Sequence, residues 1–395
     1  MPFSFNLYSS LLLPAFIQGL LFAALLLVRG WKFQRLSDKL LGWLLLLNSI
    51  KIAYWMLGFA GWYDSHDGFT SFMFYFPFDN VLWMGPLLYF YFLSLTNADF
   101  KFQKRHWPHM VLPLCWFLLI AAKFIIDFSF NRPFLLIEDT QYGTKGPIAD
   151  LEKNGWMELI AFLSFFYYLF ITLKSFRLYQ QYVKHNFSFT EEIRFDWIRN
   201  LLYTISAGVL VFFLFELLSE VNGGSTYKFQ WFAYLGLGII TYYLGIAGYF
   251  AHPKRLEQLH FEPKQEMPNE QVVDEKDRLP EIAQWKEKLL DYMDSNKPYL
   301  DPVLNLNDLA KKLSTNSSVL SKVINDGTGR NFNDFINYYR VQEVIHKLKA
   351  GEQQTQTLLG IAYDCGFNSK ATFNRSFKKV IGKTPKEFMD GLAAS

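Results

Sequence analysis

Only two cysteines occur in the chain, Cys115 and Cys365. Thiols that far apart leave no disulfide framework and no zinc site, so both read as small buried side chains. The first ten residues carry no positive n-region and no small-residue cleavage site, which makes Leu11 to Val28 a retained span and not a processed leader. There is no His-Glu-x-x-His, no phosphate-binding loop, no readable pair of catalytic carboxylates and no inverted repeat. No cofactor or enzymatic activity is therefore expected. Net charge is small too, at +3, so any affinity for a polyanion must come from local clustering of bases.

What is abundant is apolar surface. Hydrophobic residues make up 51% of the chain, with 41 Phe, 22 Tyr and 11 Trp, too much for ordinary soluble modules. The excess lies before about Phe250; after Pro253 the chain turns polar. Since a span needs roughly 20 apolar residues, seven stretches qualify: Tyr8–Val28, Leu40–Ala60, Phe72–Leu95, His109–Phe128, Trp156–Phe176, Leu201–Ser219 and Phe229–Phe250. Backbone groups in hydrocarbon must bond within their own segment, so each is expected to be a helix.

The loops orient them. Arg29–Lys39, Phe100–His106 and Lys174–Arg199 are rich in Lys and Arg, whereas Gly61–Ser71 has none. The positive-inside rule then puts the N-terminus outside and the residues after the seventh span in the cytoplasm. Lys51, Asp79, Lys123, Glu158 and Glu216 lie in or at the ends of spans, along with Asp127. At the bilayer centre a charge costs about 2.5–3.5 kcal/mol, so these residues either line an outward-opening pocket for a small ligand or form structural ion pairs. Trp55, Trp62, Trp83, Trp156 and Trp231 read as interfacial anchors or bundle packing. Gly236, Gly238, Gly245 and Gly248 give a weak signal for close helix approach or a homodimer.

Residues 251–280, punctuated by Pro253, Pro263, Pro268 and Pro280, read as a flexible tether. A floppy segment transmits no helix tilt, which leaves dimerisation, or direct contact of the C-terminal domain with the inner loops, as the route for a signal. The next helix, Glu281–Asp294, carries Ile282, Trp285, Leu289 and Met293 on one face; that stripe either caps the domain that follows or pairs two protomers.

From Leu304 to Met389 the pattern is two helix-turn-helix units in tandem. In the first, Leu306–Leu313 buries Leu309, Ala310 and Leu313, Ser314–Asn316 makes the turn, and Ser317–Asp326 buries Leu320, Val323 and Ile324. In the second, Leu359–Asp364 carries Ile361 and Ala362, Gly366 takes the left-handed turn, and Ser369–Lys379 buries Phe373 and Phe377. Ser314 stands where the second unit has glycine, so the first turn is less ideal. Phe332–Lys349 connects the units as one amphipathic helix about 27 Å long, close to one turn of DNA. The exposed faces offer Ser318, Ser321, Lys322 and Asn325 in the first unit. Lys370, Ala371, Asn374 and Arg375 are their counterparts in the second, with Lys378, Lys379, Lys383 and Lys386 available to phosphates.

"IAYDCGFNSKATFNRSFKKVIGKTPKEF", Ile361 to Phe388, resembles the signature of AraC-family (AraC/XylS-type) transcription factors: a helix, Gly-Phe at the turn, a recognition helix ending in Phe-Lys, then Gly-x-x-Pro. "LSKVINDGTGRNFNDFINYYRV", Leu320 to Val341, resembles the first unit and connecting helix of that family. The resemblance covers about Leu304 to Met389 and implies sequence-specific binding of double-stranded promoter DNA by a bacterial regulator. RNA polymerase is then an expected partner. Small Ser318 and Ser321 imply that Asn374 and Arg375 dominate the reading.

The expected architecture is therefore all-α: a seven-helix transmembrane bundle (1–250), a cytoplasmic linker (251–280) and a soluble domain (281–395) with two helix-turn-helix units joined by a long helix. The expected role is a multi-pass regulator of the bacterial inner membrane, its C-terminal domain in the cytoplasm, responding to an unidentified small molecule or envelope condition. The rival is a transporter or channel with an appended DNA-binding module.

Overall fold

A computed structural model of the chain describes residues 3–62, 75–78, 80–129, 156–190, 193, 196–221, 227–250, 259–263 and 275–393. Every named element in them is helical, and no strand occurs among the described residues. Two compact units emerge. One comprises Met1–Ser175 with Asp196–His260, the other Phe176–Phe195 with Phe261–Ser395.

The first unit holds α1 (Leu7–Lys32), α2 (Leu36–Phe59), α3 (Val81–Thr96), α4 (Pro108–Ser129), most of α5 (Trp156–Asn186), α6 (Asp196–Val221) and α7 (Tyr227–Phe250). Five of the described helices, α1, α2, α4, α5 and α7, are long and apolar enough to cross a membrane. The other two expected spans fall on α3, with 16 residues, and on α6. Helix α1 starts where Asn6 and Ser9 cap each other: the Ser9 amide donates to Asn6 Oδ1 at 3.1 Å and the Asn6 amide to Ser9 Oγ at 2.8 Å. Leu12, Ile52, Met56 and Trp231 from α1, α2 and α7 form one core, and the Trp231 indole donates to the Tyr8 carbonyl at 2.9 Å. Trp231 is thus a buried packing residue. The opposite surface stays apolar: Leu118 on α4, Leu163 on α5 and Ile239 on α7 are each more than 60% exposed. Surfaces of that kind suit lipid far better than water.

At the α1–α2 turn, Arg29 forms a two-pronged pair with Asp38 at 2.7 and 2.8 Å and donates to the Tyr249 carbonyl at 2.7 Å. The fork of a guanidinium matches a carboxylate in this way, and its third donor ties the hairpin to the end of α7. The glycines of α7 are used within the chain. A Cβ at Gly248 would overlap Leu41, and one at Gly238 would come within 2.9 Å of Ala15, whereas Gly236 faces open space. A Cβ at Gly245 would likewise meet Gln18 and Phe22 of α1, so close approach to α1 and α2 accounts for three of the four.

In the second unit, α8 (Glu275–Asn296) precedes α9 (Leu306–Lys312), α10 (Ser317–Thr328), α11 (Phe332–Lys349), α12 (Leu358–Asp364), α13 (Lys370–Ile381) and α14 (Pro385–Ala393). Leu289 and Met293 of α8 are fully buried with Leu309, Val323, Ile324 and Phe335, and Trp285 packs on the same core. The apolar stripe of this helix thus caps the first helix-turn-helix unit. A second core gathers Val344, Leu348, Ile361, Ala362, Phe373 and Phe377. Helix α11 serves both: Phe332, Phe335 and Ile336 enter the first core, Val341, Val344 and Leu348 the second. A single rigid helix thereby joins two miniature domains.

Candidate nucleic-acid interface

Local chemistry builds the same unit twice. Asn305 caps α9 by accepting from the Asp308 amide at 2.9 Å, and Thr357 caps α12 by accepting from the Gly360 amide at 3.1 Å. The turns repeat bond for bond. Ser314 N donates to Lys311 O and Thr315 N to Ala310 O, as Gly366 N does to Tyr363 O and Phe367 N to Ala362 O. Asn316 and Ser369 cap the recognition helices α10 and α13 through the Val319 and Thr372 amides. Each of these helices ends in a left-handed glycine, Gly329 or Gly382.

The turns differ at one position. Ser314 adopts φ +57° where Gly366 adopts +89°, and a side chain in the left-handed region costs roughly 1–2 kcal/mol. Ser314→Gly is therefore expected to stabilise the domain by about 0.5–1 kcal/mol, part of the relief being offset by the freer unfolded chain. A denaturation midpoint that stays put or falls would show that the turn is not strained.

On α13, Lys370, Ala371, Asn374, Arg375 and Lys378 are all exposed, while Thr372, Phe373, Ser376 and Phe377 are buried. That alternation leaves one polar, basic face pointing outward. Lys379 is exposed as well, but its ammonium pairs with Asp334 of α11 at 2.7 Å, so part of its charge is already neutralised beside the connecting helix. On α10, Ser318 is exposed and Ser321, Lys322 and Asn325 are half-buried, with the Asn325 amide donating to Ser321 Oγ at 3.4 Å. The second face is the richer in cations.

The centre of the domain holds a group that pattern reading passes over. Arg340 is buried, and its guanidinium finds an acceptor for each donor: Tyr299 O at 2.7 Å, Asp301 O at 2.7 Å, Ser188 Oγ at 3.1 Å, Asn337 Oδ1 at 3.3 Å and Ser188 O at 3.5 Å. Burial pulls its pKa down to about 9, opposed by the charge of Asp301, so it stays protonated at neutral pH. Beside it Glu343 accepts from Lys297 Nζ at 2.9 Å and from the Tyr299 hydroxyl at 3.1 Å. Burial works against ionisation of this carboxyl, yet those two hydrogen bonds and the lysine charge hold its pKa down. The spacing of Asn333, Asn337 and Arg340 does place all three on one face of the helix, but on an amphipathic helix with many other polar residues that spacing does not single them out as buried.

The five residues expected to line a sensor pocket fare differently. Asp79 lies outside the described residues, and Glu158 and Glu216 fall within α5 and α6 with side chains likewise outside them. Lys51 is half-buried on α2. Lys123 of α4 stacks its ammonium 5.3 Å from the Trp116 ring centroid, and nearby Asp127 is buried and accepts from the Tyr75 hydroxyl at 2.9 Å. A groove of about 380 Å³ beside α4 and α5 is lined by His109, Leu112, Ile160, Leu163 and Tyr168 among others, and by none of the five.

Residues 309–391 match the family model described as a helix-turn-helix domain. Over 80 residues the chain is 30% identical to the HTH-type transcriptional activator RhaS of Mannheimia succiniciproducens, a stretch that covers 20% of this chain and 29% of that protein. It is 29% identical over 85 residues to the Msm operon regulatory protein of Streptococcus mutans, covering 22% and 30%. An uncharacterized HTH-type transcriptional regulator of Staphylococcus aureus is 25% identical over 133 residues, covering 34% and 16%. The matched stretches thus span less than a third of these relatives' own length. No solved structure matches the chain.

Proposed function

We propose, from the premise that the C-terminal region is an AraC-type helix-turn-helix domain, that this chain is a membrane-embedded bacterial transcription regulator. The observation that carries the reading is the pair of capped, exposed recognition helices set on one rigid connecting helix, in a chain whose preceding helices turn apolar side chains outward. Promoter DNA is the partner, RNA polymerase the machinery it acts on, and the inner membrane its location with the DNA-binding region in the cytoplasm. Seven spans, N-terminus out, deliver that region to the correct side. A small molecule or envelope condition sensed by the N-terminal unit biases DNA binding by favouring one conformational or oligomeric state, a homodimer among them.

Base readout is assigned chiefly to Asn374 and Arg375, with Ser318, Ser321, Lys322, Asn325, Lys370 and Ala371 completing the two faces. Lys378, Lys379, Lys383 and Lys386 position the backbone. Arg375→Ala in the full-length chain is expected to weaken specific binding by roughly 1–3 kcal/mol and to relax preference at one base position, with little change in the salt slope. Selection of DNA sequences on both proteins measures this. An identical preference in the variant would remove Arg375 as a reader.

A further inference from the structure

The helix that leaves the membrane-type unit does not end in solvent. The last residues of α5, with the stretch to Phe195, belong to the same compact unit as the DNA-binding helices, and they are seated by apolar and polar contacts together. Tyr179, Val183, Phe187 and Phe189 are buried. The Tyr179 hydroxyl donates to the Ile193 carbonyl at 2.6 Å, and its ring meets Phe261 edge-on at 5.4 Å.

Just beyond the helix, residues 187–190 make the critical bonds. Phe187 forms a bridge with Asn305, the residue that caps α9. The Ser188 amide and hydroxyl both donate to the Leu304 carbonyl, at 3.2 and 2.6 Å. Asn333, near the start of α11, donates its side-chain amide to the carbonyls of Phe187 and Ser188, each at 3.0 Å, and is itself held by Asn337 at 3.1 Å. Arg340 binds the Ser188 carbonyl and hydroxyl, and through the Tyr299 and Asp301 carbonyls it fixes the turn that abuts Gly366. One short segment therefore touches the start of the first helix-turn-helix unit and the helix connecting the two. Through Arg340 it also reaches the turn of the second. Buried polar networks of this sort, with every donor matched, have one geometry and rigidify what they join. These bonds fall on Leu304, Asn305, Asn333 and Arg340, while Ser318 of α10 and Lys370, Asn374 and Arg375 of α13 stay exposed.

We propose that residues 187–190, borne on the end of α5, are a clamp that sets the pose of the two helix-turn-helix units, and that displacement of α5 reaches the DNA-binding surface by this route and not along the segment 264–274. The proposal rests on the regulator function proposed for the chain. Clamped is the DNA-competent state, since the segment braces α11 and leaves both recognition faces open.

The test uses the full-length chain in native membranes, with a site for a sequence-specific protease inserted after Asn269. After cutting and a neutral wash, the C-terminal fragment is expected to sediment with the membranes because the clamp still holds it. In Asn333→Ala, and in Asn333→Ala combined with Ser188→Ala, roughly tenfold more fragment is expected in the supernatant, from loss of bonds each contributing on the order of 1 kcal/mol. These variants avoid Arg340, whose loss would disturb the core. A second arm reads the proximity of the two segments directly. Phe187→Cys with Asn305→Cys places two thiols on a bridged pair whose Cα spacing suits a disulfide, so oxidation is expected to keep the cut fragment covalently attached. Finally, uncut Asn333→Ala is expected to lower occupancy of a selected DNA sequence about tenfold in a reporter strain at unchanged protein level.

Wild-type fragment that washes free, or a cysteine pair that does not join, would overturn the clamp. Fragment release in Asn333→Ala without any change in the reporter would overturn its role as the route. An intact wild-type chain that carbonate strips from membranes, or that selects no DNA sequence, would instead sink the regulator function itself.

Discussion

Gly366→Ala is expected to cost about 2–6 kcal/mol of stability in the second helix-turn-helix unit. Two penalties add. The residue sits at φ +89°, where any side chain is strained by roughly 1–3 kcal/mol. A Cβ there would also overlap the Tyr299 carbonyl oxygen and come within 2.9 Å of both the Leu300 carbonyl oxygen and Arg340 Nε. Backbone atoms held by a buried guanidinium cannot yield cheaply, and overpacking of this kind costs about 1–3 kcal/mol more. Gly382→Ala is the control. It shares the left-handed backbone, at +81°, but nothing lies within 4 Å of its added methyl, so only the dihedral penalty of about 1–2 kcal/mol is expected. Equal losses in the two variants, read from thermal or denaturant melting, would show that the close packing at Gly366 contributes nothing.

Arg340→Ala is expected to be comparably severe, about 3–5 kcal/mol. It leaves the buried Tyr299 carbonyl and Ser188 hydroxyl, and the part-buried Asp301 carbonyl, without their donor, and an unmatched buried polar group costs about 1–3 kcal/mol. Lysine is an incomplete substitute. Its ammonium has three donors and no planar fork, so it cannot span acceptors on three separate segments; Arg340→Lys should recover less than half of the loss. The informative comparison is Arg340→Met, which removes the cost of burying charge but keeps the volume. If Met proved as stable as the native residue, desolvation would outweigh the hydrogen bonds, and the guanidinium would have to be regarded as a specificity device without net stabilisation. A Met variant destabilised by about 2 kcal/mol or more, the expected result, means that the hydrogen bonds of the guanidinium outweigh its desolvation.

The two variants probe one junction from opposite sides, and the sequence discloses only one of those sides. Gly366 can be picked out because a helix-turn-helix turn needs a left-handed residue four positions after the small alanine. The caps at Asn316 and Ser369 and the buried faces of α10 and α13 are equally local, set by residues three or four apart. Arg340 reads as one more basic residue on an amphipathic helix. Its partner Ser188 is far away along the chain and sits in a loop that the charge pattern marks only as cytoplasmic. The apolar stripe of α8 shows the same limit in milder form: Leu289 and Met293 announce a buried face, but the identity of what covers it, the first helix-turn-helix core, comes from packing. In α7 the glycines announce close approach, and the fold supplies Ala15 and Leu41 as the neighbours.

By itself, then, the order of residues determined that the named elements of the chain are helices, that its front is lipid-like in composition, and that its tail carries two helix-turn-helix units, the second with a basic outward face. Those properties follow from periodicity, capping and turn chemistry, whose interactions close within a few residues. Tertiary structure decided which distant segments meet: Arg29 with Asp38 and the end of α7, and the loop after α5 with the helix that joins the two reading units. Such pairings depend on hydrogen-bond geometry at buried and part-buried sites, and no local pattern encodes which remote carbonyl will be found there.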